Sequence, residues 1–378
     1  MKIGIVCYPT FGGSGVVATE LGNALAQKGH QVHFISYDMP VRFDTFSPNM
    51  FYHEVLVSDY PLFDYQPYEL VLSSKLVDVV KHEKLDLLHV HYAIPHASAA
   101  YMAKQILASQ GIRIPYITTL HGTDITLVGK DASFEPVITF AINESDAVTS
   151  VSESLKQDTY KYFKVKRDIE VIHNFVDIDL YSKAKNALSK FNYNTSGKKV
   201  LLHISNFRPV KRVEDVVRIF DKVRKEIPAK LLLVGDGPER SKIEALCREL
   251  GGYEDIQFLG KLKATEQALA MADLFLLTSE TESFGLSALE AMAASVPVIS
   301  TNTGGLPEVN VQGFSGYMSD VGDVDDMAKN ALHILKDKNT HDTFRKNAFL
   351  QAKKFELSNI LPVYENLYER VINKHSNA

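Results

Sequence analysis

Along the chain, short β-branched runs alternate with stretches whose apolar residues recur at helical spacing. In the first half, residues 2–7, 31–36, 87–91 and 116–120 read as strands, and 16–28, 70–82 and 96–109 as the helices between them. Repetition of strand, helix and strand implies a parallel sheet with helices on both faces. After a further strand at 169–172 the pattern lapses over 181–199, which is polar and rich in Asn, Ser and Lys and reads as a connector. It then restarts. Strands are expected at 199–205, 230–234, 256–258, 274–277 and 298–300, with helices at 213–225, 240–250 and 285–294. The expectation is therefore two Rossmann-like α/β domains, 1–173 plus 358–378 and 174–357. The tail belongs to the first because 360–372 sets Leu361, Tyr364, Leu367, Tyr368 and Val371 on one helix face that must pack somewhere. Ligands of open parallel sheets bind beyond the carboxyl ends of the strands, so a cleft between facing domains is the expected site.

A length of 378 residues is two to three times that of a common domain and agrees with this division. Lys and Arg number 41 against 46 Asp and Glu, a formal charge of −5, which provides no global field for nucleic acid or an anionic membrane. Any polyanion site must be local. With only Cys7 and Cys247 there is no disulfide framework, and the start of the chain lacks a signal-peptide layout, so a cytoplasmic protein is expected.

Gly12-Gly13-Ser14-Gly15 lies between the first strand and the helix expected near Val16. Backbone N–H groups and a helix N-terminus meet there, as an anion site requires. Gly13 to Ala18 also fits the dinucleotide pattern G-x-G-x-x-A, with Asp38 following 23 residues after Gly15, so NAD is a rival ligand and a plain turn a third reading. Against NAD, Tyr8 to Phe11 separate the strand from the glycines. His89 and His91 share a strand face and His96 is near. A metal site is the sharp reading of these three; hydrogen bonding at a strand end is favoured, because no Cys accompanies them and Glu83 and Asp86 precede the strand. Tyr92 and Thr118-Thr119-Leu120-His121-Gly122-Thr123-Asp124 end strands where crevice residues sit.

In the second half, Arg208, Lys211 and Arg212 put three cations within five residues ahead of a helix, either a solvated turn or a phosphate clamp. Gly235-Asp236-Gly237-Pro238 and Thr303-Gly304-Gly305 are tight turns after strands. Glu282 and Glu290 stand eight residues apart, the first in a loop and the second inside an apolar helix where a carboxylate demands a partner. The amides of Ser283 to Leu286 offer a second anion site. Cations for a diphosphate, a carboxylate for a ribose diol and another for sugar hydroxyls would together receive a nucleotide sugar.

With these motifs the chain resembles the GT-B retaining glycosyltransferases of family 4, from the glycine loop through His121 and Arg208/Lys211 to Glu282-x7-Glu290. The stretches 7–15, 89–96 and 120–126 are most similar to the branch that transfers N-acetylglucosamine from UDP-GlcNAc to L-malate, the first step of bacillithiol biosynthesis. The resemblance implies that Glu290 holds the ribose hydroxyls and Glu282 a sugar hydroxyl, while Arg208 and Lys211 hold the diphosphate. Gly15 and the amides of Phe284, Gly285 and Leu286 would complete the donor site, and His121 would line the sugar with its main chain. Arg208, Lys211, Glu282 and His121 form the implied catalytic set. Retention is implied to proceed by front-face attack without a protein nucleophile, so leaving-group stabilisation matters most. Arg208 and Lys211 would replace a divalent metal. No metal or cofactor is expected, UDP-GlcNAc and L-malate being substrates. A small dianion calls for N–H groups and hydroxyls, so Gly13, Ser14, Tyr92 and Thr119 are the acceptor candidates.

Another small or lipid acceptor is the nearest rival, although the 70–82 helix lacks the basic face that a lipid surface would need. An NAD-dependent dehydrogenase leaves Glu282, Glu290, Arg208 and Lys211 unexplained. A non-catalytic nucleotide-sugar sensor would share the donor site and turn nothing over. Neither nucleic acid nor a membrane is expected as a partner, and a homo-oligomer is left open.

Overall fold

The computed structural model describes residues 1–10, 12–57, 66–127, 131–182 and 197–376. It divides into two compact units, Met1–His173 with Ile360–Ala378, and Asn174–Asn359. Most of the expected connector, 183–196, lies outside the described residues.

The first unit is a seven-stranded sheet of β1 (Lys2–Val6), β2 (Gln31–Ser36), β3 (Met50–Glu54), β4 (Leu87–His91), β5 (Tyr116–Leu120), β6 (Ala147–Ser150) and β7 (Ile169–Val171), in the order β3-β2-β1-β4-β5-β6-β7. Every pairing is parallel. All five residues of β4 and of β5 are buried, as expected where helices cover both faces. Helices α1 (Gly13–Gln27), α2 (Tyr68–Glu83) and α3 (Ser98–Ser109) are the three expected, but α1 begins at Gly13 and not near Val16. The glycines thus form its first turn. Gly15 is needed there because an added Cβ would lie 2.5 Å from the Thr10 carbonyl oxygen. The last helix, Leu357–Ser376, buries Leu361, Tyr364, Leu367, Tyr368 and Val371, the stripe seen in the sequence.

The second unit pairs β8 (Lys199–Ile204), β9 (Ala229–Val234), β10 (Ile256–Gly260), β11 (Leu274–Leu277), β12 (Val298–Thr301) and β13 (Gly316–Ser319) in the order β10-β9-β8-β11-β12-β13, again all parallel. Helix Val213–Arg224 presents Val213, Val216, Val217, Phe220 and Val223 to the core shared with Leu231 and Leu276.

In each sheet the strand order reverses at one place. That switch lies between β1 and β4 in the first unit and between β8 and β11 in the second. Chains leaving the carboxyl ends of those two strands diverge to opposite faces and leave a crevice between them.

Candidate active site

At the first switch point the segment after β1 meets the segment after β4. The Tyr92 hydroxyl donates to Ser14 Oγ at 2.6 Å. Burial pushes the Tyr92 phenol up to about 12, so it keeps its proton at neutral pH. Ser14 therefore receives a hydrogen bond and has its own proton to give. Tyr92 stands at φ 84, a left-handed backbone that residues with a Cβ rarely adopt, and such strain is concentrated at functional sites. The Gly15 amide is engaged by the Gly12 carbonyl at 3.1 Å, so the donor contact expected of Gly15 is not its to make. Its place in the turn follows from the close approach to Thr10. Gly13 and Ser14 carry the amides without an acceptor among the described residues.

Thr119 was expected beside Ser14 and requires correction. It is completely buried, and its hydroxyl lies 2.7 Å from His89 Nε2 and 2.6 Å from Thr149 Oγ1. The Thr119 side chain belongs to the sheet interior and not to a ligand surface. Its network continues from His89 Nδ1 to the Tyr368 hydroxyl at 2.7 Å, so both nitrogens of His89 are hydrogen-bonded. This is the strand-end role favoured for that residue.

His121 Nε2 lies 2.7 Å from His91 Nδ1, and the two rings stack with centroids 5.0 Å apart. Desolvation, aided by His96, lowers His121 to about 3. It is neutral at working pH and carries no charge to a phosphate. Asp124 was not singled out in the sequence. It is buried, accepts from Ala93 N at 2.9 Å and from Gly122 N at 3.1 Å, and so clamps the two turns that carry Tyr92 and His121. Desolvation outweighs those bonds and raises its carboxyl to about 6.

At the second switch point the segment after β8 meets the segment after β11. Lys211 Nζ pairs with Glu282 Oε2 at 2.6 Å, with side chains only 20% and 15% exposed. Two residues far apart in sequence are thus brought together, a pairing that the sequence reading did not anticipate. Backbone bonds fix the approach: Glu280 N donates to Val210 O at 2.8 Å, and the Thr278 hydroxyl contacts Lys211 O and Arg212 O at 3.0 Å. Gly304 completes the cradle at φ 58, because a Cβ there would fall 2.0 Å from the Glu282 carbonyl oxygen.

Of the three neighbouring cations, Arg212 is tied to Asp215 at 2.6 Å. Arg208 is exposed and makes no ion pair among the described residues. Behind the pair, buried His203 is fixed by Leu276 O at 2.9 Å and Ser205 Oγ at 2.8 Å, a residue the sequence reading passed over. Gly285 caps helix Leu286–Ala293 at φ 95. Ala288 N and Leu289 N donate to the Gly285 carbonyl at 3.0 and 3.1 Å, while the amides of Leu286 and Ser287 lack an intrahelical acceptor and favour an anion. Phe284 is buried beneath them, and Glu290 is half-buried at the fifth position of that helix.

Both switch points therefore carry ligand-ready chemistry: neutral hydroxyl and amide donors in the first unit, and cations, a carboxylate and a helix N-terminus in the second. No helix among the described residues is long and apolar enough to cross a membrane.

The family model described as Glycosyltransferase Family 4 matches residues 11–180, and that of Glycosyl transferases group 1 matches 185–351. The chain is 48% identical over 380 residues to the N-acetyl-alpha-D-glucosaminyl L-malate synthase of Bacillus anthracis, covering 100% of this chain and 99% of that protein. Among solved structures, the sucrose-phosphate synthase of Thermosynechococcus elongatus superposes with a TM-score of 0.81 at 21% identity, covering 99% of this chain and 100% of that one. Alr3699/HepE of Anabaena in complex with UDP and glucose gives 0.79 at 20% identity, covering 97% and 99%. At such identities these two establish the fold.

Proposed function

This chain belongs to the family 4 glycosyltransferases and has their GT-B fold of two Rossmann-like units, and from that premise we propose that it transfers N-acetylglucosamine from UDP-GlcNAc to the hydroxyl of L-malate with retention at the anomeric carbon. The observation that carries the choice of substrates is the 48% identity over an alignment that covers 100% of this chain.

In this reading Arg208 and Lys211 take the diphosphate, Glu290 the ribose diol and Glu282 a hydroxyl of the sugar. The bond between the anomeric carbon and the β-phosphate oxygen breaks, and negative charge grows on UDP. Lys211 is enclosed, so its charge acts through less water than a surface lysine would and favours the transition state over the bound donor. The malate hydroxyl oxygen forms the new bond from the same face, and its proton passes to the departing β-phosphate oxygen. Neutral His121 lines the sugar and contributes no charge. Ser14, with a proton available because Tyr92 donates to it, and the amides of Gly13 and Ser14 hold malate carboxylate. Their neutrality suits a dianion that must be bound without competing for the diphosphate's cations. Arg208 and Lys211 supply the charge that a divalent ion supplies elsewhere, so transfer proceeds without added metal. The two buried thiols, Cys7 pushed up to about 12 and Cys247 to about 11 by burial, fit work in a reducing cytoplasm.

The test is UDP release. Purified protein given UDP-GlcNAc should release UDP on addition of L-malate, little with D-malate and none with NAD in place of the donor. Steady turnover with an inositol phosphate or a lipid and none with L-malate would overturn the acceptor. Absence of turnover with every acceptor would overturn the transferase reading.

A further inference from the structure

At the outer edge of the first sheet, away from the switch point of that sheet, three ligating side chains converge. In the register of β2 and β3, His33 stands opposite Phe51, and Ile35 opposite His53. Strand alternation therefore puts both histidines on the sheet face that carries Ile35. Ile35 packs in one cluster with Leu76, Val79 and Val80 of α2, so this is the face α2 covers, and Glu83 is the last residue of α2. The end of the helix thereby arrives over the histidine pair. One ligating atom from each of His33, His53 and Glu83 lies within 4.8 Å of the other two. His33 Nδ1 and His53 Nε2 are 2.9 Å apart and can share only one proton between two lone pairs. Lys2 Nζ contacts the Glu83 carbonyl at 2.9 Å, while the Glu83 carboxylate has no Lys or Arg ion pair among the described residues.

We propose that His33, His53 and Glu83 bind a divalent transition metal, Zn²⁺ by preference, in a three-ligand site completed by water. Zinc bonds of about 2.0–2.2 Å to nitrogen and oxygen place tetrahedral ligand atoms roughly 3.3 Å apart, above the 2.9 Å between the two histidine nitrogens and inside the 4.8 Å that bounds all three atoms, so small side-chain rotations complete the geometry. Two imidazoles and a single carboxylate suit zinc, cobalt or nickel, whereas calcium and magnesium require a shell of oxygens. The ion would pin edge strand β3 to the end of α2. It takes no part in glycosyl transfer, and the inference stands whether or not the proposed substrates are correct. His33 Nε2 has no hydrogen-bond partner among the described residues, and a ligand imidazole without an outer partner binds metal about 10- to 100-fold more weakly, so affinity on the order of micromolar is expected.

The full-length protein, stripped with a chelator and dialysed, is titrated with Co²⁺ and then Zn²⁺. Expected is the intense visible absorption of four-coordinate cobalt, saturating at one equivalent, bleached by zinc, and lost in both His53→Ala and Glu83→Gln. Glu83→Gln keeps the shape of the side chain, so loss of the band there with an unchanged far-UV circular dichroism spectrum reports lost ligation and not lost fold. Failure of the wild type to saturate, or an undiminished band in either variant, overturns the site.

Discussion

Acid should attack this protein through histidines that hold up the candidate sites. His89 and His96 in the first unit and His203 in the second are fully buried, and burial drives them to about 3, 4 and 4 respectively. A histidine whose folded value lies below its unfolded one near 6.5 keeps its stabilising share above that pH. As pH falls from 6.5 toward 3–4, the unfolded chain takes up protons that the native state refuses, and the share is lost. Between pH 7.5 and 5.5 each such group costs about 1.4 kcal/mol, so the three cost about 4 kcal/mol. Asp124 runs the other way. Raised to about 6 from 3.8, it gains the native state about 1 kcal/mol over the same interval, because the folded carboxyl takes its proton first. The loss of about 3 kcal/mol from these four groups, to which the other buried histidines such as His121 add, is large beside a usual domain stability of about 5–15 kcal/mol. The sequence has no Trp, so the assay is urea unfolding followed by far-UV circular dichroism at half-unit pH intervals, with turnover measured in parallel. Activity should decline together with the unfolding midpoint. A midpoint that stays flat from 7.5 to 5.5 would refute the argument. So would activity falling through a single titration near 6 in a protein of undiminished stability, which would make a histidine such as His121 a group in the chemistry itself.

Three further outcomes concern the sites. Glu282→Gln should lower kcat/KM for UDP-GlcNAc by about 10- to 100-fold, one charged hydrogen bond, while UDP alone binds at least as well because Lys211 loses its anionic neighbour; equal weakening of both in calorimetry would contradict the sugar contact. Lys211→Ala should reduce kcat far more than it raises the donor KM, and a rise in KM alone would make Lys211 a binding residue only. Ser14→Ala should raise the KM for L-malate about tenfold or more at unchanged thermal stability, whereas Thr119→Ala should lower the melting temperature by leaving His89 and Thr149 short of a buried partner, at about 1–3 kcal/mol each; the reverse pattern would restore Thr119 to the acceptor site.

How much the sequence could say followed from what each inference needed. The two doubly wound sheets were legible because runs rich in β-branched residues and Leu alternate with helices of clean period. Strands β3, β6 and β13 were not, since each mixes polar residues or Gly into a run as short as the others. That omission had a consequence in the site. Thr119 stands opposite Thr149 of β6, so the engagement of its hydroxyl could not be seen without that strand. Lys211 and Glu282, in the segments after β8 and β11, were singled out in the sequence since few purposes require a cation and an acid there, whereas their pairing was not. His91 and Asp124 were not singled out for their tasks of bracing His121 and clamping two turns, because those tasks exist only in the register of β4 against β5. In sequence, Asp124 is only an acid at the end of a Gly-containing turn.

The two switch points have the same topology and opposite chemistry, and the difference follows from what each must resist. In the second unit Lys211 and Glu282 satisfy each other when no donor is bound, so neither enclosed charge is left bare. In the proposed reading a diphosphate arriving there competes with Glu282 for Lys211, and the carboxylate released from that contact turns to a sugar hydroxyl. On that reading one ion pair would couple donor binding to sugar recognition. Arg208, exposed and without an ion pair among the described residues, has no such partner to displace, and in the proposed reading it captures the phosphates first. The first unit offers Tyr92, Ser14 and backbone amides, none of which bears a charge at neutral pH. A dianionic acceptor held by neutral donors keeps its own negative charge largely uncompensated. In the proposed reading the enclosed positive charge of Lys211 then remains directed at the leaving diphosphate, where charge develops during transfer.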